Sequence, residues 1–218
     1  MVLERPAATW PPGRPEIPPP WQPRVPSEPP TPQPILPSWQ EPAPYGLDQD
    51  LADRLLDQRV IIVGGRLDDA VANRVASQLL LLDTRDTTPI TLHLACSDAD
   101  LEPSLAVAAA IDLIESPVHA VARGTLRGPA IAVLCATQQR AAHRHTMFIL
   151  VSPRFTANGT ADELATLADQ HERQVARLHD LIADATGRTT QEIAADLEPG
   201  RVLTAPEAHD YGLITQLL

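Results

Sequence analysis

The chain contains no lysine; all 17 of its basic residues are arginine. That absence singles out no function by itself. Acid dominates instead: 28 Asp and Glu residues give a formal net charge of −11. Four acids and three arginines lie in residues 1–44, so −1 of that charge sits there and −10 in the rest. Such an acidic chain argues against nucleic acid or an anionic membrane as partner. Cysteine is scarce. Cys96 and Cys135 each sit beside apolar stretches, which reads as two lone buried thiols in a reducing cytoplasm rather than a disulfide. Residues 1–44 hold no apolar run, which excludes a signal-peptide core or membrane span there. Proline, in turn, is rare beyond residue 44: sixteen of 23 prolines precede it, with all three tryptophans, Trp10, Trp21 and Trp39. Proline locks φ and removes a hydrogen-bond donor, so 1–45 reads as an extended, disordered tail and 46–218 as the folded domain. Pro26-x-x-Pro29 and the Trp-Gln pairs give the tail a second reading, a docking arm for a groove.

Beyond the tail, strands and helices alternate. Residues 59–64 form a short apolar, β-branched run closed by glycine, a buried strand. Asp68 and Asp69 cap the next helix, whose Val71, Val75, Leu79 and Leu82 recur on one face. Residues 90–94 alternate as a strand, 101–114 form an Ala-rich helix, and 118–122 and 146–151 are further strands. Pro129 suits the first turn of a short helix, where its missing N–H costs little. A long helix over 161–185 opens on the capping box Thr160-x-x-Glu163 and ends at Gly187. Leu164, Leu167, His171, Val175, Leu178 and Ile182 form one seam along it, which needs a surface to pack on. Thr189-x-x-Glu192 and Thr204-x-x-Glu207 cap two shorter helices. The alternation implies α/β layers with substantial parallel pairing.

Three segments in order resemble ClpP, the proteolytic subunit of the Clp protease. They are Ala52-Asp-Arg-Leu-Leu-Asp-Gln-Arg-Val-Ile-Ile-Val-Gly-Gly65, the helix from Asp68 to Leu80, and the closing Thr204-Ala-Pro-Glu-Ala-His-Asp-Tyr-Gly-Leu-Ile214. The resemblance runs from about residue 47 to the last residue. It implies a crotonase-like spiral of ββα units and a protruding handle helix at which heptameric rings interlock. It also implies a Ser-His-Asp triad and an oxyanion hole, and at those places this sequence departs from the family. Where the family carries its nucleophile, in a pattern like Ala-Ser-Met-Gly, the chain reads Thr125-Leu126-Arg127-Gly128. Leu126 stands at the serine. Val151, in Leu150-Val-Ser-Pro153, stands at the histidine. Asp196, in Ile193-Ala-Ala-Asp196, stands at the aspartate and is retained. The family's Asn-Ser-Pro-Gly-Gly-Ser loop aligns with Ala95-Cys-Ser-Asp-Ala-Asp100, so Asp98 and Ala99 replace its glycines, and Asp98 and Asp100 bring negative charge against a developing oxyanion. An arginine that pairs across the ring interface is replaced by Ala195, which leaves Asp196 without that cation.

The expectation is therefore a catalytically inactive ring subunit of the Clp system. It would assemble with itself or with an active paralogue, and through the ring with an AAA+ unfoldase. The seam of the long helix and position 195 would form the interface. An active Clp serine endopeptidase and a crotonase-like acyl-binding protein are the alternatives. Thr125 as a displaced nucleophile would need a base, which Val151 cannot be. No cofactor or metal is expected; His143 and His145 lack cysteine or carboxylate partners nearby.

Overall fold

The computed structural model describes residues 49–218. The proline-rich tail, and with it the reading of 1–45 as a disordered arm, lies outside those residues. Helix α1 (Gln49–Asp57) leads into β1 (Val60–Leu67), α2 (Asp69–Asp83), β2 (Ile90–Ala99), α3 (Leu101–Leu113) and β3 (Val118–Ala122). Then follow β4 (Thr125–Arg127), α4 (Ala130–Cys135), β5 (Gln139–Ala142) and β6 (Met147–Leu150). The long α5 (Ala161–Thr186), α6 (Thr190–Leu197), β7 (Arg201–Thr204), α7 (Ala205–Tyr211) and β8 (Gln216–Leu217) complete the chain.

A five-stranded sheet runs in the order β1-β2-β3-β5-β8, with every pairing parallel. A second sheet, β4-β6-β7, pairs β4 with β6 in parallel and β6 with β7 antiparallel. Parallel strands need crossovers, and helices supply them, which covers the faces and explains the near-continuous apolar strands. On β2, Ile90, Leu92, Leu94 and Cys96 are fully buried while the residues between them are half-buried. The helices bury matching stripes: Ala72, Val75, Leu79 and Leu82 on α2, and Leu101, Val107 and Ile111 on α3. Val71, expected on the α2 stripe, is only half-buried at its edge. Helix α4 is buried on all sides. This is the α/β class that the alternation of elements implied.

The caps fall where the sequence placed them. Val71 N–H donates to Asp68 Oδ1 at 3.0 Å. Thr160, Thr189 and Thr204 each pair with the glutamate three residues on, closing three capping boxes. Gly187 ends α5 with φ +70°, a left-handed conformation that costs glycine least. Arg59 takes φ +58° without being glycine and is held there from several sides. Its guanidinium donates to the Leu82 and Thr88 carbonyls and to Ser116 Oγ, tying the start of β1 to the end of α2 and the turn before β3.

Candidate functional site

A cleft of about 260 Å³ opens where β1, β2, β4 and β6 end. It is lined from β1 by Arg66, from β2 and its exit by Asp98, Ala99 and Asp100, from β4 and the turn after it by Arg127, Gly128 and Pro129, and from the exit of β6 by Val151, Ser152 and Arg154. The topology brings the three expected triad positions to this end of the molecule. Leu126 pairs with Phe148 across β4 and β6, and Ser152 N–H donates to the Leu197 carbonyl at 3.0 Å, tying the segment after Val151 to the end of α6 beside Asp196.

Their side chains do not meet there. Leu126 lies in a strand, not a turn, and is 0 % exposed in the core. Successive residues of a strand face opposite ways, so burying Leu126 sends Arg127 to the cleft. Val151 does line the cleft. It is wedged between two turns that require left-handed glycine, Gly128 at φ +56° and Gly200 at φ +81°. A Cβ on Gly128 would already lie 3.5 Å from Val151 Cγ1. Asp196 is turned to other partners. Arg201 Nη1 donates to its two oxygens at 3.0 and 3.2 Å, and the Tyr211 hydroxyl donates to Oδ2 at 2.7 Å. Partial burial pushes the Asp196 carboxyl up, but the Tyr211 and Arg201 hydrogen bonds and the nearby cations outweigh it and hold the group below its usual range. Tyr211 is itself buried, with Arg188 stacked over its ring at 4.0 Å, and burial followed by the Asp196 contact pushes its phenol up. The expectation that Asp196 is left without a cation is thus corrected: a residue five positions on in the same chain supplies one. Ala195, the replaced arginine position, is exposed.

The segment expected as an oxyanion loop is strand. Asp98 and Ala99 pair with Arg66 and Leu67 after a bulge between Gly65 and Arg66, and Asp100 N–H donates to the Leu67 carbonyl at 3.0 Å. Without the proline and glycines that would break the ladder, β2 runs on beside β1. Gly128 N–H, at the other wall, donates to the Ile149 carbonyl at 2.9 Å. The negative charge foreseen here is also offset. Arg66 reaches Asp98 at 3.1 Å and Asp100 at 2.7 Å. Sequence reasoning overlooked Arg66, Arg127, Arg154 and Ser152 in the cleft, and Arg201 and Tyr211 behind it. Arg127 was visible in its alternation with Leu126, whereas Arg66 and Arg201 depend on register.

The seam of α5 divides in two. Leu178 and Ile182 are fully buried in the chain's own core, with Val175 packed at its edge, which corrects their assignment to an oligomer interface. Leu164 and Leu167 are each 37 % exposed, and His171 stacks on the exposed Phe155 ring at 4.5 Å. Cys96 and Cys135 are buried free thiols, pushed by burial up to about 11 and about 12. Thr125 does not line the cleft, and neither does any histidine. His143 and His145 lie with ring centroids 5.4 Å apart, and no group of three or more potential metal ligands gathers among the described residues. No described helix is long and apolar enough to cross a membrane.

The chain belongs to the Clp protease family, whose model matches residues 46–218. It is 32 % identical over 171 residues to the ATP-dependent Clp protease proteolytic subunit 3 of Rhodococcus jostii, covering 77 % of this chain and 85 % of that one. It is 29 % identical to proteolytic subunit 2 of Corynebacterium glutamicum, covering 79 % of this chain and 88 % of the relative. To proteolytic subunit 2 of Thermobifida fusca it is 31 % identical, covering 78 % and 85 %.

Proposed function

We propose that this chain is a non-catalytic subunit of a Clp-type protease, acting through assembly rather than peptide hydrolysis. One observation supports this reading: Leu126, which the resemblance sets at the family's nucleophile, is wholly buried in a strand and does not line the cleft. The remainder of the site is consistent with it. Val151 offers no proton acceptor, Asp196 is engaged by Arg201 and Tyr211, and Asp98 and Ala99 are paired as strand with β1. Among the described residues, Ser152 is the hydroxyl that lines the cleft, and no histidine lines it to activate that group.

The exposed start of α5, with Leu164, Leu167, His171 and Phe155, is the surface through which the subunit joins rings of its own kind or rings completed by an active Clp-type paralogue. Through such rings it meets an AAA+ unfoldase in the cytoplasm. The rival reading, an active serine endopeptidase, is favoured by the relatives' names, which all describe proteolytic subunits. Turnover of short fluorogenic peptides by the purified full chain, alone and mixed with an active Clp-type subunit, separates the two. The proposal expects no turnover alone and a mixed assembly by native mass spectrometry. Turnover by the lone chain, abolished by Ser152→Ala or Thr125→Ala, refutes it.

A further inference from the structure

The cleft is not merely an emptied active site; its walls carry a charge pattern of their own. Five charged side chains line it: Arg66, Arg127, Arg154, Asp98 and Asp100. Arg66 engages both aspartates, at 3.1 and 2.7 Å, so those three groups largely satisfy one another. Arg127 and Arg154 make no ion pair and no side-chain hydrogen bond among the described residues. Two cations left facing one small cleft repel each other, in a chain whose net charge is −11. An anion between them relieves that repulsion, and partial enclosure by the cleft walls strengthens its attraction.

We propose that this cleft binds a carboxylate-bearing ligand through Arg127 and Arg154, the carboxylate coming from an acidic residue of a peptide or from a free dicarboxylate. The proposal rests on the non-catalytic reading, because a ligand held here is retained rather than cleaved. Three features point to carboxylate. The arginine fork matches the two oxygens of a carboxylate with parallel N–H donors. A cleft of about 260 Å³ lies just below the range that holds drug-sized ligands, which suits one short acidic side chain or a small acid. Ser152 adds a neutral hydroxyl donor on the same wall. Strand alternation sets the arrangement: Leu126 turns inward, and its neighbour Arg127 turns outward to the cleft.

The test uses the full chain and fluorescence anisotropy. The probes are a fluorescein-labelled hexapeptide with two central glutamates, its glutamine counterpart, and unlabelled glutarate and inorganic phosphate as competitors. The glutamate peptide is expected to bind at least about tenfold more tightly than the glutamine peptide, and R127Q and R154Q each to weaken it about tenfold. Neither arginine is buried, so both variants are expected to keep the parent melting temperature; R154K, which keeps the charge but loses the fork, should fall between. Full displacement by glutarate at concentrations comparable to the peptide assigns the site to free dicarboxylates; tight peptide binding that glutarate displaces poorly assigns it to acidic peptides. Equal binding of the two peptides without competition by glutarate, binding unmoved by R127Q and R154Q, or stronger competition by phosphate than by glutarate overturns the inference. Mass spectrometry of the recovered peptide keeps the two readings apart. A cleaved peptide refutes the non-catalytic reading, whereas an intact peptide that does not bind, with glutarate also unbound, refutes only this one.

Discussion

Rebuilding the triad on this chain, Leu126→Ser with Val151→His, is expected to produce a less stable protein and no peptidase. Leu126 is 0 % exposed, so truncating it removes a core side chain and places a hydroxyl where its neighbours are apolar. Leucine truncation in a core costs about 2–5 kcal/mol, and an unpaired buried hydroxyl adds about 1–3 kcal/mol. The serine side chain would also start out facing inward, away from the cleft that Arg127 faces. Val151→His adds a ring between the Gly128 and Gly200 turns, which both lie against Val151. Even a correctly placed serine and histidine meet Asp98 and Ala99, the expected oxyanion-loop positions, paired as strand with Arg66 and Leu67. Each missing oxyanion donor costs about 2.7–4 kcal/mol in the transition state. The combined destabilisation of about 3–8 kcal/mol in a domain of this size lowers the melting temperature by roughly 6–32 °C. The assay pairs thermal denaturation with kcat/KM on a fluorogenic peptide. An unchanged melting temperature together with measurable turnover would refute the reasoning, since it would mean that position 126 reaches the cleft and that the donors are free.

Other outcomes follow from the same geometry. Asp196→Asn should cost about 1–3 kcal/mol at neutral pH, because it weakens charge-assisted bonds from Arg201 and Tyr211. The Asp196 carboxyl is held below its ordinary range, so its contribution is complete above the unfolded value of about 3.9 and is lost as pH falls through the folded one. The loss of stability below about pH 4 should therefore be shallower in the variant, read by urea melts from pH 7 to pH 3. Leu164→Ser with Leu167→Ser should leave the melting temperature within a few degrees but reduce self-association in sedimentation, whereas Leu178→Ala should cost about 2–5 kcal/mol. Cys96 and Cys135, buried and pushed up to about 11 and about 12, should resist a thiol-disulfide reagent in the native protein and react fully once unfolded.

Much of the fold was legible because it is written in local patterns. The β-branched run before Gly64, the alternation of 90–94 and the three Thr-x-x-Glu boxes each act within a few residues, and each became the element it implied. What escaped the sequence depends on register between distant segments. Residues 95–99 look like a loop when compared with a glycine-rich relative, yet here they pair with β1 and form strand. Thr125, Leu126 and Arg127 form a strand only because β6 lies beside them. The α5 seam showed one continuous stripe, but the stripe cannot say where its cover ends; Leu178 and Ile182 meet the domain, and Leu164 and Leu167 extend beyond it. At the site, the resemblance alone set Leu126, Val151 and Asp196 at the family's triad, and the cleft holds Val151 but neither Leu126 nor Asp196. Which arginines answered Asp98, Asp100 and Asp196 was not visible, since Arg66 reaches them from the neighbouring strand and Arg201 reaches Asp196 across the turn between α6 and β7.

The central claim, a Clp-type subunit without a working nucleophile, is tested most directly by intact mass spectrometry of the native full chain after exposure to a fluorophosphonate. Such probes form a stable adduct only on an activated hydroxyl. With Leu126, which the resemblance sets at the nucleophile, buried away from the cleft, and no histidine beside Ser152 in the cleft among the described residues, the account predicts an unmodified mass, while an active Clp-type subunit in the same tube gains one adduct per chain. A stoichiometric adduct on this chain, mapped to Ser152 or Thr125, would contradict it.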